Sequence, residues 1–154
     1  YKYTILLLSN IVEWERKMNI DEVRRYWMDY LESIEVSDTL VSELVKIVAE
    51  TGNELSVFKI FIQRLSFLQS LGALAVRHKE FESIGDGLFS MHLAGTDFNI
   101  RILYSFLPNR QPVLLLAFYE RGGKRKTDYT PYKEPALSRL KQIKEEFYHV
   151  SGNE

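Results

Sequence analysis

The stretch FYERGGKRKTDYTPY, residues 118–132, sets four cations (Arg121, Lys124, Arg125 and Lys126) among three tyrosines, and Lys133 follows directly. Cations at this density neutralise phosphates. The rings of Tyr119, Tyr129 and Tyr132 offer faces on which exposed bases stack, and the two together are how single-stranded RNA is commonly held. The same residue types also describe a solvated turn whose tyrosines pack on a following helix, so composition leaves both readings open. Arg101 sits inside the otherwise apolar run FNIRILYSFL and needs a reason. It is either an edge charge or ion-pair partner, or a cation on an open sheet face where a phosphate would sit. His92 falls opposite the apolar face of its own run and is the candidate to join Arg101 there, against the plainer reading of a structural histidine. Tyr104 alternates onto the face opposite Arg101 and reads as core.

Other familiar chemistries find no footing. RGGKRKT places glycines before a lysine without the phosphate-loop spacing, and GDG is too short for a dinucleotide fingerprint. There is no HExxH, no EF-hand loop and no close His/Asp cluster, and His78, His92 and His149 are scattered, so no metal or other cofactor is expected. The absence of cysteine excludes disulfides and thiol nucleophiles and makes a reducing cytoplasm the default expectation. The apolar runs ILLL and VLLLAFY are far too short to span a bilayer, so no membrane association is expected.

These residues need elements to position them. The 154-residue chain, with 45% hydrophobic residues, is long enough for one domain with a real core. Its net charge of -1 hides an asymmetry: residues 1–57 carry six Lys and Arg against eleven Asp and Glu, whereas residues 58–154 carry fourteen against ten. An acidic front and a basic back suggest an anionic partner for the back half, and an intramolecular contact between the acidic helices and the basic face is a further expectation. The front half reads as helical. Apolar spacing predicts helices over residues 1–17 and 19–31, the second capped by Asn19. A third is opened by Ser37 or Asp38 and stopped at Gly52. A fourth carries Phe61, Leu65 and Leu68 on one stripe and stops at Gly72. After the IGDG turn signal the period falls to two, and three strands are expected. Phe89, Met91 and Leu93 share one face of the first, with Leu88, Ser90 and His92 on the other. In the second, Ile100, Ile102 and Tyr104 oppose Asn99, Arg101, Leu103 and Ser105. VLLLAFY is apolar throughout, as in a strand covered on both faces. ALSRLKQIKEEFYHV closes the chain as a helix with Pro135 in its first turn. The expected fold is α+β: N-terminal helices, including an α-hairpin, on a small antiparallel meander with a C-terminal helix.

The ordered set GDGLF, RILY, LLLAFY, the Lys/Arg-rich loop ending TDYTPY, and a closing helix with Ala136 and Arg139 resembles the RelE/HigB-like toxins of bacterial type II toxin–antitoxin pairs, in the style of the phage-related HigB branch. SVFKIFIQRLSFLQSLG is similar to the second helix of that family. The resemblance covers residues 34–150 as a toxin domain and leaves residues 1–33 outside it, as a helical N-terminal extension, a divergent replacement of the usual first strand, or a helical element that neutralises the toxin in cis. One departure stands out: the family usually carries a Glu and an Arg on the first strand of the meander, where this chain has Ser90 and His92.

The resemblance implies an endoribonuclease that cuts mRNA in the ribosomal A site without metal, the ribose 2′-OH attacking the adjacent phosphate. It implies as partners mRNA, the ribosome and a cognate antitoxin, a small DNA-binding repressor. On this reading Arg101 and Arg121 stabilise the scissile phosphate. Lys124, Arg125, Lys126 and Lys133 hold RNA backbone. Tyr129, supported by Tyr132, stacks on a base or carries a proton, and His92 is the other candidate for proton transfer. Two other readings remain open: a ParE-like inhibitor of DNA gyrase that cuts nothing, and a non-catalytic RNA-binding module.

Overall fold

The computed structural model describes residues 34–120 and 127–152. The helices expected over 1–17 and 19–31 lie outside the described residues, as do Arg121, Lys124, Arg125 and Lys126. The described chain opens with a two-residue strand, β1 (Glu35–Val36), which runs straight into helix α1 (Asp38–Thr51). Ser37 makes that transition. Its Oγ accepts the Leu40 N–H at 3.3 Å and thereby caps the helix. Gly52, at φ 68°, ends it in the left-handed conformation that glycine adopts without strain. Helix α2 (Glu54–Leu71) follows at once and stops at Gly72. The two form the expected hairpin. Their apolar stripes, Leu40, Leu44 and Val48 on α1 with Phe61, Leu65 and Leu68 on α2, are buried together.

A 3₁₀ segment (Gly72–Arg77) leads into β2 (Phe81–Gly85), β3 (Leu88–Ala94), β4 (Asn99–Phe106) and β5 (Pro112–Tyr119). The sheet order is β1-β5-β4-β3-β2, antiparallel except for β1, which pairs parallel to β5. The expected three-stranded antiparallel meander is therefore corrected to four strands plus a parallel edge strand. In β2 only Phe81 is buried, so FESIG presents no apolar alternation to read; β1 is too short to show a period. The GDG signal does form the hairpin turn between β2 and β3. Gly85, Asp86 and Gly87 all have positive φ, which two glycines accept freely and aspartate tolerates.

The period of two gives the sheet two different faces. Met91, Leu93, Ile100, Ile102 and Tyr104 join the α1–α2 core. On the opposite face Leu88, Leu103, Leu116 and Phe118 meet Ala136 and Leu140 of helix α3 (Thr130–Ser151). That helix begins six residues earlier than the apolar spacing indicated, with Pro131 in its first turn and Pro135 inside it. Sequence reasoning began the periodic pattern at Ala136, because Thr130 to Glu134 carry no aliphatic residue. The cost of Pro135 is one helical hydrogen bond, and the packing of Ala136 and Leu140 offsets it.

β5 has an exposed edge problem, because β1 covers only Val113 and Leu114. Side chains take over where pairing ends. The register shifts opposite Leu103 and Tyr104, leaving Leu115 as an extra residue. The Leu115 carbonyl accepts from Ser37 Oγ at 2.6 Å and from Arg139 Nη1 at 2.9 Å. Glu43 accepts the Ala117 N–H at 3.2 Å and both ends of the Arg139 guanidinium, at 2.7 and 3.1 Å. One Arg–Glu pair thus ties α1, β5 and α3 together.

Tyr104 is fully buried, as its face indicated, and its ring stacks on Phe89 with a centroid distance of 5.4 Å. Its hydroxyl has no hydrogen-bond partner among the described residues, and burial pushes its pKa well above the usual tyrosine range. A buried unsatisfied hydroxyl is destabilising. Tyr104→Phe is therefore expected to raise the unfolding free energy by about 1 kcal/mol. A denaturant midpoint unchanged or lowered by this substitution would show that the hydroxyl has a partner.

Candidate functional site

Helix α3 contacts β5 and β4, and beside it β2, β3 and β4 carry a group of polar residues. The strand registers set Glu82 of β2 opposite Ser90, and His92 of β3 opposite Arg101 of β4. Arg101 in turn faces Phe118 of β5. Two of these residues, Glu82 and Arg101, line an open cleft of about 670 Å³ together with Glu120, Thr127, Tyr129 and Lys133 among others.

Arg101 lines the cleft with a side chain only 16% exposed. Its Nε donates to Glu120 Oε2 at 2.8 Å, and its Nη1 lies 3.7 Å from Glu82 Oε1. The two carboxylates are not equivalent. Glu120 is as buried as Arg101 and also accepts from Thr127 Oγ1; Glu82 is 51% exposed. Tyr129 joins the same network: its hydroxyl donates to Glu82 Oε1 and lies 2.9 Å from Ser90 Oγ, from which it accepts. Tyr129 is seated by the edge of its ring on Phe118, centroids 6.2 Å apart. Lys133, one turn further along α3, reaches Asp86 at 3.6 Å.

Burial would raise the Glu120 pKa, but hydrogen bonds from Thr127 and Arg101, and the Arg101 charge, outweigh it and hold the carboxyl below its ordinary 4.5. A carboxyl whose folded pKa is depressed contributes stability in full above its unfolded value, and loses it as pH falls through the folded value. The wild-type melting temperature is therefore expected to fall more steeply below pH 4.5 than that of Glu120→Gln. Parallel acid limbs in thermal melts of the two proteins would exclude this contribution. Tyr129 shifts the other way. Burial first, then its hydrogen bond to Glu82, push its pKa up to about 12. At neutral pH it is a proton donor and not a base.

The structure brings together only part of the set expected from sequence. Arg101, Tyr129 and Lys133 line one cleft. His92 is on the same sheet face but is engaged beside the cleft. Its Nε2 meets Asn99 Oδ1 and its Nδ1 lies 3.3 Å from Glu80. Arg64 of α2 fixes its carbonyl at 3.1 Å. Tyr132 lies flat on Phe118, centroids 3.7 Å apart and rings within 5° of parallel, so one of its faces is already used in packing α3 to the sheet. Compared with models of protein families, with curated proteins and with solved structures, the chain finds no match. Glu82 and Glu120 are the site residues that sequence reasoning missed. Glu120 stands in the basic stretch as one carboxylate beside four cations; Glu82 carries no signal without the register of β2. Among the described residues no group of acidic or histidine side chains is placed to hold a metal ion, and no helix is long and apolar enough to cross a membrane.

Proposed function

We propose that this protein is an endoribonuclease of the RelE/HigB-like toxin kind, which cuts mRNA on the ribosome in the cytoplasm and is neutralised by a DNA-binding antitoxin. The observation that carries the reading is the meeting of Arg101, Glu82 and Tyr129 in an open cleft whose rim, Glu120 hydrogen-bonded to Thr127, joins the two ends of the basic segment 121–126. The charge of Arg121, Lys124, Arg125 and Lys126 suits a polyanion, and the cleft supplies the groups that a 2′-OH attack needs. Glu82, the exposed carboxylate beside both donors, takes the 2′-OH proton as that oxygen bonds to phosphorus. Arg101 stabilises the charge growing on the phosphoryl oxygens. The bond from phosphorus to the 5′-oxygen breaks, and Tyr129 protonates the departing oxygen. The products are a 2′,3′-cyclic phosphate and a 5′-OH, with no metal needed in the scheme. Arg121, Lys124, Arg125 and Lys126 would track the backbone, with Lys133 extending that contact along α3.

The family's missing strand carboxylate also finds a counterpart here. Ser90 stands where the family usually carries Glu, and Glu82, its cross-strand neighbour, brings a carboxylate to the same point of the sheet. One observation favours the non-nucleolytic, gyrase-inhibiting alternative: Arg101 is matched by carboxylates on two sides and does not face the cleft as an unpaired cation. Primer extension on a defined mRNA in a reconstituted translation reaction separates the two. Discrete cuts that appear with ribosomes support the proposal. Intact mRNA beside a folded protein rules it out in favour of an inhibitor.

A further inference from the structure

Glu82 holds both donors that a substrate phosphate would need. Its Oε1 receives the Tyr129 hydroxyl and faces Arg101 Nη1 at 3.7 Å, so a single carboxylate oxygen sits where an anionic oxygen would be gripped by arginine and tyrosine together. The other carboxylate on Arg101 is placed differently. Glu120 approaches through Nε at 2.8 Å, is only 16% exposed and is anchored by Thr127. The two halves of the guanidinium are thus divided between a buried, fixed partner and an exposed, loosely held one.

We infer that Glu82 is an internal stand-in for the phosphodiester: it occupies the Arg101–Tyr129 donor pair in the free protein and is displaced by an RNA phosphate, whereas Glu120 stays in place and keeps Arg101 aimed. This rests on the RNA-cutting reading above and adds to it how the empty site is held. An exposed carboxylate at 3.7 Å in an open cleft gains little from its cation. A phosphate presents its oxygens to the same two donors with charge-assisted hydrogen bonds, so exchange is the favoured direction once RNA is present. β2 lies at one edge of the sheet among the described residues and Glu82 is exposed, so its side chain can turn outward without disturbing a core contact. Displacement also frees it to meet the 2′-OH, which links occupancy of the site to readiness of its base.

The test uses the full chain and a fluorescent single-stranded RNA with 2′-fluoro sugars, which cannot attack and so reports binding alone. Removing one competing charge is expected to tighten binding of this probe about three- to tenfold in Glu82→Ala. The same change is expected to slow cleavage of ordinary RNA. The gain must be largely lost when Glu82→Ala is placed on Tyr129→Phe or on Arg101→Lys, two backgrounds that keep the shape or the charge of the site. A gain of equal size in all backgrounds would mean only a lost surface charge and would overturn the inference. So would unchanged or weaker binding in Glu82→Ala while the wild-type protein binds the probe, a result that leaves the RNA reading standing. Binding by none of the proteins would overturn the inference, while the ribosome assay above decides the reading on which it rests.

Discussion

Arg101→Ala is expected to lower the single-turnover rate of RNA cleavage by about 100- to 1000-fold, the usual loss when one preorganised donor to a developing oxyanion is removed. The substitution acts on two levels that must be separated. On the proposed reading it takes the cation from the reacting phosphate, and it leaves Glu120, largely buried beside it, without its charge partner. The second effect costs stability, about 1–3 kcal/mol for a hydrogen-bonded group left unsatisfied. A rate loss caused by partial unfolding would be reversed by repairing stability. Combining Arg101→Ala with Glu120→Ala removes the orphaned carboxylate and is expected to recover part of the unfolding free energy, with cleavage still at the level of Arg101→Ala. Cleavage restored in the double variant would assign Arg101 a structural role. Cleavage at the wild-type rate in a folded single variant would remove Arg101 from the chemistry altogether.

Much of the fold could be read from sequence wherever a residue's local environment repeats with a simple period. Successive residues of β3 and β4 point to opposite faces, so the opposite facing of Tyr104 and Arg101 followed from counting by two. The helix boundaries at Ser37, Gly52 and Gly72 were legible because caps and stops are chemical requirements of single residues. What escaped was structure imposed from a distance. β2 pairs because β3 offers it an edge, not because FESIG has a pattern of its own. β1 exists because the outer edge of β5 needs partners at Val113 and Leu114.

The site divides along the same line. Arg101 announced itself as a charge in an apolar strand; it is an ion-pair partner, and it lines an open cleft. Its carboxylates could not be assigned, since Glu82 lies nineteen residues before it and Glu120 nineteen after, and only the sheet register brings all three together. Tyr129 and Tyr132 looked alike in the basic stretch. Their difference is a matter of helix geometry: one ends the approach to α3 with its hydroxyl in the polar cleft, while the other, in its first turn, lies flat on an apolar ring.

Phe118 is where core and cleft meet, and Phe118→Ala is expected to cost about 3–5 kcal/mol of stability, as truncation of a buried aromatic side chain does. The ring is 7% exposed, sandwiches against Tyr132, touches the edge of Tyr129 and stands across the sheet from Arg101. Its loss leaves a cavity under the first turn of α3, so the helix start and the Tyr129 hydroxyl lose their seat together. Two companion substitutions separate volume from geometry. Phe118→Leu restores most of the buried carbon but not the flat surface, and is expected to recover stability more fully than cleavage. Tyr132→Phe keeps the stacked ring and is expected to stay within about 0.5 kcal/mol of the wild-type protein. Denaturant unfolding read beside single-turnover cleavage gives both quantities for each variant. If Phe118→Leu cleaves RNA at the wild-type rate, Tyr129 is held by the polar network of Glu82 and Ser90 alone, and the aromatic stack serves only to fasten α3 to the sheet.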